Sequence, residues 1–290
     1  MLVHLNNFIK FFFIIILITA VPAKVFSDEK KIDLMETNWS FKGIFGTFDR
    51  ASLQRGYQVY SEVCSGCHSI QHLSYRNLSE KGGPEFSIEE AKSIAAQFEV
   101  EDGPNNEGEM FLRPGRLSDQ FVSPYPNVEA STSANGGAYP PDMSVLVKAR
   151  KGGADYIYSL LLGYKEAPTA FELDDGVYYN KYMPGNKIKM SEPISDGIVE
   201  YLDGTQTTKE QIAKDVTTFL VWASEPHLES QHKMGFKAII YLIILIALVY
   251  MSKQKVWSRF GSTAVEEEDT FDKVERTVTE YEGEDPKTFK

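Results

Sequence analysis

The sequence predicts a mainly α-helical protein that has long loops and one C-terminal transmembrane helix. Apolar residues recur at helical spacing in several segments between residues 52 and 224, whereas the alternating pattern of strands is nearly absent. The apolar run 234–251 is long enough to cross a hydrocarbon core at about 1.5 Å per residue. A chain of 290 residues with 42% apolar residues can also bury a core without disulfide bonds.

The predicted helices begin at residues that can cap them. Ser52 is predicted to cap the first helix, and Ser87 forms a capping box with Glu90 at the start of the second. The stretch from Glu101 to Gly137 is rich in Gly and Pro, and we expect it to be a long loop that lines a site. In chain order, the predicted helices are Ser52 to Val63, Ser87 to Phe98, Asp142 to Arg150, Ala154 to Leu162, and one from Thr208 that ends before Pro226.

Two apolar segments define the predicted topology. Residues 1–23 resemble a secretory signal peptide with cleavage after Ala23, and an uncleaved N-terminal anchor is the alternative. A mitochondrial presequence would be rich in Arg, but no Arg precedes Arg50. Residues 24–233 are then a periplasmic domain, residues 234–251 a transmembrane helix, and residues 252–290 an acidic, loosely ordered cytoplasmic tail. The basic residues just after the helix favour this orientation; they are Lys253, Lys255 and Arg259.

The charge of the chain excludes one class of partner. The 41 acidic and 30 basic residues give a net charge of −11. Nucleic-acid binding needs clustered Lys and Arg on the binding face, so the sequence predicts no nucleic-acid partner. An acidic exported domain instead favours the electrostatic steering of a basic partner protein.

The two cysteines lie in one short motif, Cys64-Ser-Gly-Cys67-His68. The spacing C-x-x-C-H is typical of c-type haem attachment, in which two thiols form thioethers and the adjacent His is an iron ligand. A thioredoxin-like redox pair would require a βαβ setting, which the sequence lacks. Zinc would require two further ligands at suitable spacing. The sequence therefore predicts one covalently attached haem c in a cytochrome c-like domain, with His68 as a metal ligand.

The second axial ligand is less well defined by the residues alone. A Met thioether is typical of electron-transfer haems with a raised potential. Met143 follows the apolar stripe of a predicted helix, which favours core packing, whereas Met183 and Met190 lie in an irregular segment that can present a ligand. Periodicity does not choose between these two. The other candidate methionines are Met35 and Met110 in the exported domain and Met234, the first residue of the predicted span.

The chain resembles cytochrome c1, the haem subunit of the cytochrome bc1 complex, over nearly its whole length between the signal peptide and the tail. The stretches that carry the resemblance are LQRGYQVY at 53–60, YRNL at 75–78, ANGGAYPPD at 134–142, ARKGGADY at 149–156 and PGNKIKM at 184–190. The resemblance implies that Met190 is the second iron ligand. It also implies a haem pocket that includes Asn135 and Pro141, with Arg150 and Tyr156 near a propionate.

The resemblance also implies a function and partners. The chain would relay electrons from the Rieske iron-sulfur protein to a soluble or membrane-tethered cytochrome c, as the electron-transfer subunit of quinol-cytochrome c reductase in a respiratory chain. It would have no catalytic residue of its own. Cytochrome b would be a neighbour in a dimeric complex in the bacterial inner membrane, with the haem domain in the periplasm and the C-terminus in the cytoplasm.

Two other functions fit part of the sequence. A membrane-anchored cytochrome c that feeds a terminal oxidase or reductase would share the haem, the export and the anchor. A thiol oxidoreductase would use Cys64 and Cys67 directly. The acidic residues predicted to face an electron acceptor are Glu99, Glu101, Asp102, Glu107 and Glu109, or Glu200 and Asp203.

Overall fold

Helices provide most of the regular structure, as the sequence predicts. The computed structural model describes residues 32–169 and 171–282, with side chains described as far as Ser258. The predicted signal peptide lies outside the described residues, as do residues 283–290. Residues from Met35 onward form one unit, whereas residues 32–34 belong to a separate N-terminal segment. The helices are α1 Arg50–Val59, α2 Ile88–Ala95, α3 Val128–Ala134, α4 Gly153–Leu162, α5 Lys209–Ser224 and α6 Leu228–Glu282.

Short turns and two small antiparallel sheets complete the described fold. A π turn, Tyr60–Cys64, continues α1, and 3-10 turns occur at Tyr75–Ser79 and Pro184–Asn186. One sheet pairs β1 with β2 so that Glu99 lies opposite Pro114 and Asp102 opposite Phe111. The other pairs β3 with β4, with Tyr178 opposite Ile188. The strands are β1 Glu99–Asp102, β2 Phe111–Pro114, β3 Tyr178–Tyr179 and β4 Lys187–Ile188.

The central packing contact is between α1 and α5, and it depends on Gly56. A Cβ atom at Gly56 would lie 2.2 Å from the carbonyl oxygen of Asp215 and 2.7 Å from the Cβ of Phe219. Glycine therefore allows α5 to approach α1 more closely than any other residue would. The α1 helix leads directly to the cysteines, so this contact sets where the motif emerges from the core.

A buried carboxylate joins the same two helices. Asp215 is fully buried and accepts hydrogen bonds from the Ser52 hydroxyl at 2.7 Å and from Arg55 Nε at 2.8 Å. Gln211 donates to the same carboxylate at 3.0 Å, and Arg55 also pairs with Asp203 at 2.7 Å. A buried charge requires partners of this kind, because an unpaired one is strongly destabilising.

Aromatic rings fill the space around this helix pair. Tyr60 stacks on Phe219 with ring centroids 5.7 Å apart, and Tyr75 stacks on Phe121 at 4.5 Å. Phe121 also contacts Tyr60 edge to face at 6.3 Å. The rings connect the segment before the cysteines with the segment after them through one core.

Several predicted elements are confirmed. Ser87 and Glu90 form the capping box of α2, although that helix ends at Ala95 and not near Phe98. The helix predicted from Ala154 to Leu162 is α4. Thr208 caps α5, which ends before Pro226 as predicted.

Other predictions are wrong, each for a physical reason. Asp49 and not Ser52 caps α1, because the Ser52 hydroxyl is buried against Asp215. The segment predicted to be a helix from Asp142 to Arg150 consists of turns. The carboxylate of Asp142 binds residues on both sides of it, including Ser69, and these contacts hold the segment against another part of the chain.

The long loop and the tail also differ from expectation. The segment predicted as a loop from Glu101 to Gly137 contains most of the β1–β2 hairpin and also α3. The backbone is helical as far as Glu282, where a loosely ordered tail was expected.

The α6 helix contains the predicted membrane span. The segment Leu228–Ser258 is long enough to cross a membrane, and its most apolar 18-residue stretch has a mean hydropathy of 2.3, none of it buried within the chain. At its start, Glu229 accepts two hydrogen bonds from the guanidinium of Arg50, at 2.8 and 2.9 Å. This paired contact fixes the first turn of α6 to the start of α1.

Candidate haem-binding site

The cysteine motif begins where α1 widens into the π turn. The Ser65 N–H donates to the carbonyl of Tyr60 at 2.8 Å, which is the five-residue spacing of a π turn, and the His68 N–H donates to the carbonyl of Cys64 at 2.9 Å. Neither cysteine is in a disulfide; Cys64 is half-buried and Cys67 is exposed. Two free thiols at the end of a rigid helix are what a thioether attachment requires.

The environment of Cys64 is unsuited to thiol redox chemistry. Burial, with a smaller contribution from Cys67, raises the pKa of the Cys64 thiol to about 12. A reactive redox cysteine needs the opposite shift, since the thiolate is the nucleophile. The burial of Cys64 therefore disfavours a thiol oxidoreductase in which Cys64 is the attacking nucleophile.

His68 is held in the protonation state that a metal ligand needs. The side chain is buried, and its Nδ1 lies 2.8 Å from the carbonyl oxygen of Pro141. A carbonyl oxygen can only accept, so Nδ1 carries the hydrogen and Nε2 keeps its lone pair. Burial lowers the pKa of His68, although the hydrogen bond to Pro141 and the charge of Asp142 oppose it. The imidazole is therefore neutral and oriented for coordination through Nε2.

The segment after His68 is bound to the segment around Pro141 by further hydrogen bonds. The carboxylate of Asp142 accepts from the Ser69 hydroxyl at 2.7 Å, the Gln71 N–H at 3.0 Å and the Ser144 N–H at 2.8 Å. The Met143 N–H donates to the carbonyl of Ser69 at 2.8 Å. We call these contacts between residues 69–72 and 141–144 the histidine clamp, since they hold the carbonyl that orients His68.

The two candidate methionines have different surroundings. The Tyr156 hydroxyl lies 3.6 Å from the sulfur of Met183, within hydrogen-bonding distance of that atom. The Tyr164 hydroxyl donates instead to the backbone carbonyl of Met190 at 3.1 Å. The contact at Met190 fixes the backbone without engaging the sulfur, which favours Met190 over Met183 as an axial ligand.

The Met190 segment is anchored to the C-terminal end of α4. The buried side chain of Asn180 donates to the carbonyl of Leu160 at 2.8 Å and accepts from the N–H of Tyr182 at 3.0 Å. A Cβ at Gly163 would lie 2.5 Å from the amide oxygen of Asn180 and 2.7 Å from the Tyr182 ring. Gly163 therefore allows the loop to dock, and α4 positions both methionines.

Comparisons with known proteins identify the family of the chain. A profile of the Cytochrome C1 family matches residues 39–260. The chain belongs to the cytochrome c1 family. Among its relatives are Cytochrome c1-2, heme protein, mitochondrial, of Solanum tuberosum, 47% identical over 220 residues that cover 76% of this chain and 84% of the relative. Cytochrome c1 of Rhodospirillum rubrum is 40% identical over 257 residues, covering 83% and 93%.

A third relative is longer than this chain. Cytochrome b/c1 of Bradyrhizobium diazoefficiens is 46% identical over 239 residues, which cover 76% of this chain but only 35% of that protein. Its name joins a cytochrome b with a cytochrome c1.

The other residues expected to line the pocket of this cytochrome c1-family chain lie on three separate segments. Pro141 contributes its carbonyl to His68. Asn135 caps the C-terminal end of α3, where its side chain donates to the carbonyl of Ser131 at 2.7 Å. Burial raises the pKa of Tyr156, and the positive charge of the exposed Arg150 opposes part of this shift.

Several positioning residues of this cytochrome c1-family site were not predicted from the sequence. They are Asp142 with its partners in the histidine clamp, Tyr164, Asn180 and Gly163. The role of Asp142 could have been predicted, because it lies between Pro141 and an apolar stretch. An Asp in such a place can stabilise a turn by accepting a hydrogen bond from the backbone N–H two residues further on. Nothing local marks Asn180 or Tyr164, since Leu160 lies 20 residues from Asn180 and Met190 lies 26 residues from Tyr164.

Proposed function

We propose that this chain is the haem subunit of a bacterial bc1 complex and relays electrons from a Rieske iron-sulfur protein to a cytochrome c. Cys64 and Cys67 would attach one haem c, and His68 and Met190 would bind its iron. The haem, when bound, supplies a one-electron iron couple. The observation that carries the proposal is the neutral imidazole of His68, directly after two free thiols and oriented by the carbonyl of Pro141.

The chain's own residues then have defined roles. The histidine clamp fixes the tautomer of His68, and a fixed ligand needs little rearrangement when the charge on the metal changes. Tyr164 and Asn180 hold the backbone of the Met190 segment. Arg150 would offset the charge of a haem propionate, with Tyr156 and Asn135 lining the pocket.

Placement in the cell follows from the same proposal. The α6 helix anchors the chain in the inner membrane, the haem domain lies in the periplasm, and the C-terminus lies in the cytoplasm after removal of residues 1–23. The complex would be dimeric and would include cytochrome b. The name of the longer relative, which joins a cytochrome b with a cytochrome c1, supports the association with cytochrome b, and the apolar helix found among the described residues supports the membrane anchor.

The β1–β2 hairpin, residues 99–114, is the better candidate for steering the electron acceptor; we call it the acidic hairpin. Asp102 is paired with Arg113, and Asp203 on the other candidate surface is paired with Arg55. Those two carboxylates are therefore largely neutralised within the chain. The hairpin keeps exposed glutamates, which can steer a basic partner, beside exposed apolar side chains such as Leu112, which that partner can cover. The exposed glutamates are Glu99, Glu101, Glu107 and Glu109.

The proposal is tested with two matched variants of the full-length chain. Met190→His should keep the haem attached and lower its midpoint potential, since a second imidazole replaces a thioether. Met183→His should leave the potential unchanged. Optical spectra during a redox titration measure both. A potential that responds at position 183 and not at 190 would overturn the ligand assignment.

Two further observations separate the alternatives. Co-purification of the chain with cytochrome b and a Rieske protein supports the bc1 complex, whereas co-purification with oxidase subunits would favour the membrane-anchored cytochrome c. Absence of a c-type α band, or free thiols detected by alkylation, would overturn haem attachment.

A further inference from the structure

A tight turn beside α6 carries two exposed apolar side chains. The Gly46 N–H donates to the carbonyl of Gly43 at 3.1 Å, so that Ile44 and Phe45 occupy the two central positions of the turn. They are 76% and 74% exposed. Central turn positions in water are usually occupied by Gly, Pro, Asn, Asp or Ser. We call residues 43–46 the Ile44–Phe45 turn.

The backbone on either side of the apolar tip requires glycine. Gly43 has φ +89, a conformation that favours glycine, and a Cβ at Gly46 would lie 2.2 Å from the carbonyl oxygen of Phe41. The Thr47 N–H closes the base of the loop by donating to the carbonyl of Ser40 at 3.1 Å. On both sides the chain is rooted in the core by buried aromatic residues, Trp39, Phe41 and Phe48.

The tip lies next to the first turns of α6. The rings of Phe45 and Phe236 meet edge to face with centroids 6.3 Å apart. Together the turn and residues 229–236 line an apolar depression of about 180 Å³. Phe236 is itself 54% exposed, so the turn and the helix present one continuous apolar surface.

Polar contacts fix the orientation of the turn relative to α6. Nδ1 of His232 lies 3.3 Å from the carbonyl oxygen of Gly46, to which it donates. The Phe48 N–H donates to Glu229 at 2.9 Å, and Arg50 pairs with the same carboxylate. The turn and the helix therefore move as one piece.

The height of the turn along α6 indicates what covers it. The apolar run of the helix begins at Met234, and Phe236 lies two residues, about 3 Å, further along the axis. The preceding residues include Glu229 and the exposed Lys233. Lys237 follows Phe236 directly, and the uninterrupted apolar run starts at Ala238. The tip is thus level with the last charged residue before that run, which for a membrane span is the boundary between headgroups and acyl chains.

We propose that the Ile44–Phe45 turn inserts into this boundary of the lipid bilayer and is a second membrane contact of the chain. The inference rests on the proposed function only in treating α6 as a membrane span. With two attachments, one helix and one apolar turn fixed to it, the haem domain cannot swivel freely about its anchor. The occupant of the surface is lipid, because the exposed apolar surface of the turn is continuous with that of the span.

Spin labels on the full-length, haem-loaded chain in phosphatidylcholine–phosphatidylglycerol nanodiscs test the proposal. Single cysteines are introduced at two exposed positions: Phe45→Cys, which removes the ring contact with Phe236, and Ile44→Cys, which keeps it. Relaxation by oxygen, which partitions into lipid, is compared with relaxation by a water-soluble nickel chelate. Phe236→Cys is the membrane reference and Leu202→Cys, at a side chain 99% exposed, is the aqueous reference.

We expect the oxygen-to-nickel accessibility ratio at positions 44 and 45 to match the Phe236 reference and to exceed the Leu202 reference several-fold. A ratio equal to the Leu202 reference would overturn the proposal. Low accessibility to both reagents would overturn it in favour of a covering protein. If the wild-type chain takes up label, its own cysteines are free, which would contradict haem attachment but not the proposed membrane contact. The accessibility ratios at positions 44 and 45 are then measured in a chain that also carries Cys64→Ser and Cys67→Ser.

Discussion

The aspartate at the centre of the histidine clamp offers a direct test of how the candidate site is built. In Asp142→Asn one acceptor oxygen becomes an NH₂ group, so that the N–H of either Gln71 or Ser144 loses its acceptor. A hydrogen bond to an ionised acceptor contributes about 1.5–3 kcal/mol and one to a neutral acceptor about 1 kcal/mol. Losing one of the three hydrogen bonds and weakening the other two would lower the free energy of unfolding by about 3 kcal/mol if Asp142 were fully buried. Because Asp142 is half-buried, we expect a loss of about 2 kcal/mol.

The effect should depend on pH in a defined direction. Burial raises the pKa of Asp142, but hydrogen bonds from Ser144, Gln71 and Ser69 outweigh it and hold the pKa below its ordinary value. A depressed pKa in the folded state stabilises the fold above the unfolded-state pKa of about 4, and this contribution is lost as the pH falls through the folded value. The difference between wild type and variant should therefore be full at neutral pH and shrink below about pH 4.

Urea denaturation of the haem-loaded chain in detergent, followed by tryptophan fluorescence, measures the free energy of unfolding at each pH. Asp174→Asn is the matched control, because Asp174 is 80% exposed and pairs with Lys187 at 3.3 Å. Such a surface pair contributes about 0–1 kcal/mol. Equal stability of wild type and Asp142→Asn at neutral pH, or a difference that does not change on acidification, would refute the reasoning.

Two more predictions concern the helix pair and the acidic hairpin. Gly56→Ala should lower the free energy of unfolding by about 1–2 kcal/mol, because overpacking against Asp215 costs more than the roughly 1 kcal/mol gained in helix propensity. Gly235→Ala is the control and should not destabilise the chain, because nothing lies within 4 Å of the new Cβ. A Gly56→Ala variant as stable as wild type would contradict the close approach of α1 and α5. Replacing the four exposed glutamates of the acidic hairpin by Gln should slow reduction of a basic cytochrome c about tenfold or more at low salt and flatten its dependence on ionic strength, as stopped-flow kinetics would measure. Kinetics that stay salt-dependent in that variant would exclude the hairpin as the steering surface.

The sequence was most informative where chemistry requires a fixed local spacing. The motif from Cys64 to His68 could be interpreted without a structure, because the two thiols and the imidazole that hold one haem are close in sequence. Helices with strong caps, such as α2 with Ser87, were predicted for the same reason. Local signals failed at Asp142, where contacts distant in sequence replace a helix by turns.

Other features depend on tertiary contacts that a single sequence does not display. The strands of the acidic hairpin have no apolar face to bury, so no alternation marked them. The buried ion pair of Asp215 could have been predicted in part. Asp215 lies at helical spacing from Ile212 and Phe219, on the buried stripe of α5, and a charge at such a position requires buried partners. The Asn180 contact with Leu160 had no comparable signal, because neither residue is unusual for its segment.

The π turn that connects α1 to the cysteines gives this short segment a tolerance in length. It accommodates one residue more than an α-helical turn between Tyr60 and Ser65. If one of residues 61–63 were deleted, the Ser65 N–H could donate to the same Tyr60 carbonyl as an ordinary α-helical bond. The residues from Ser65 onward would then keep their position relative to α1, and the contact between α1 and α5 would stay in place. A change of one residue is therefore absorbed within the turn, before it reaches His68 and the clamp.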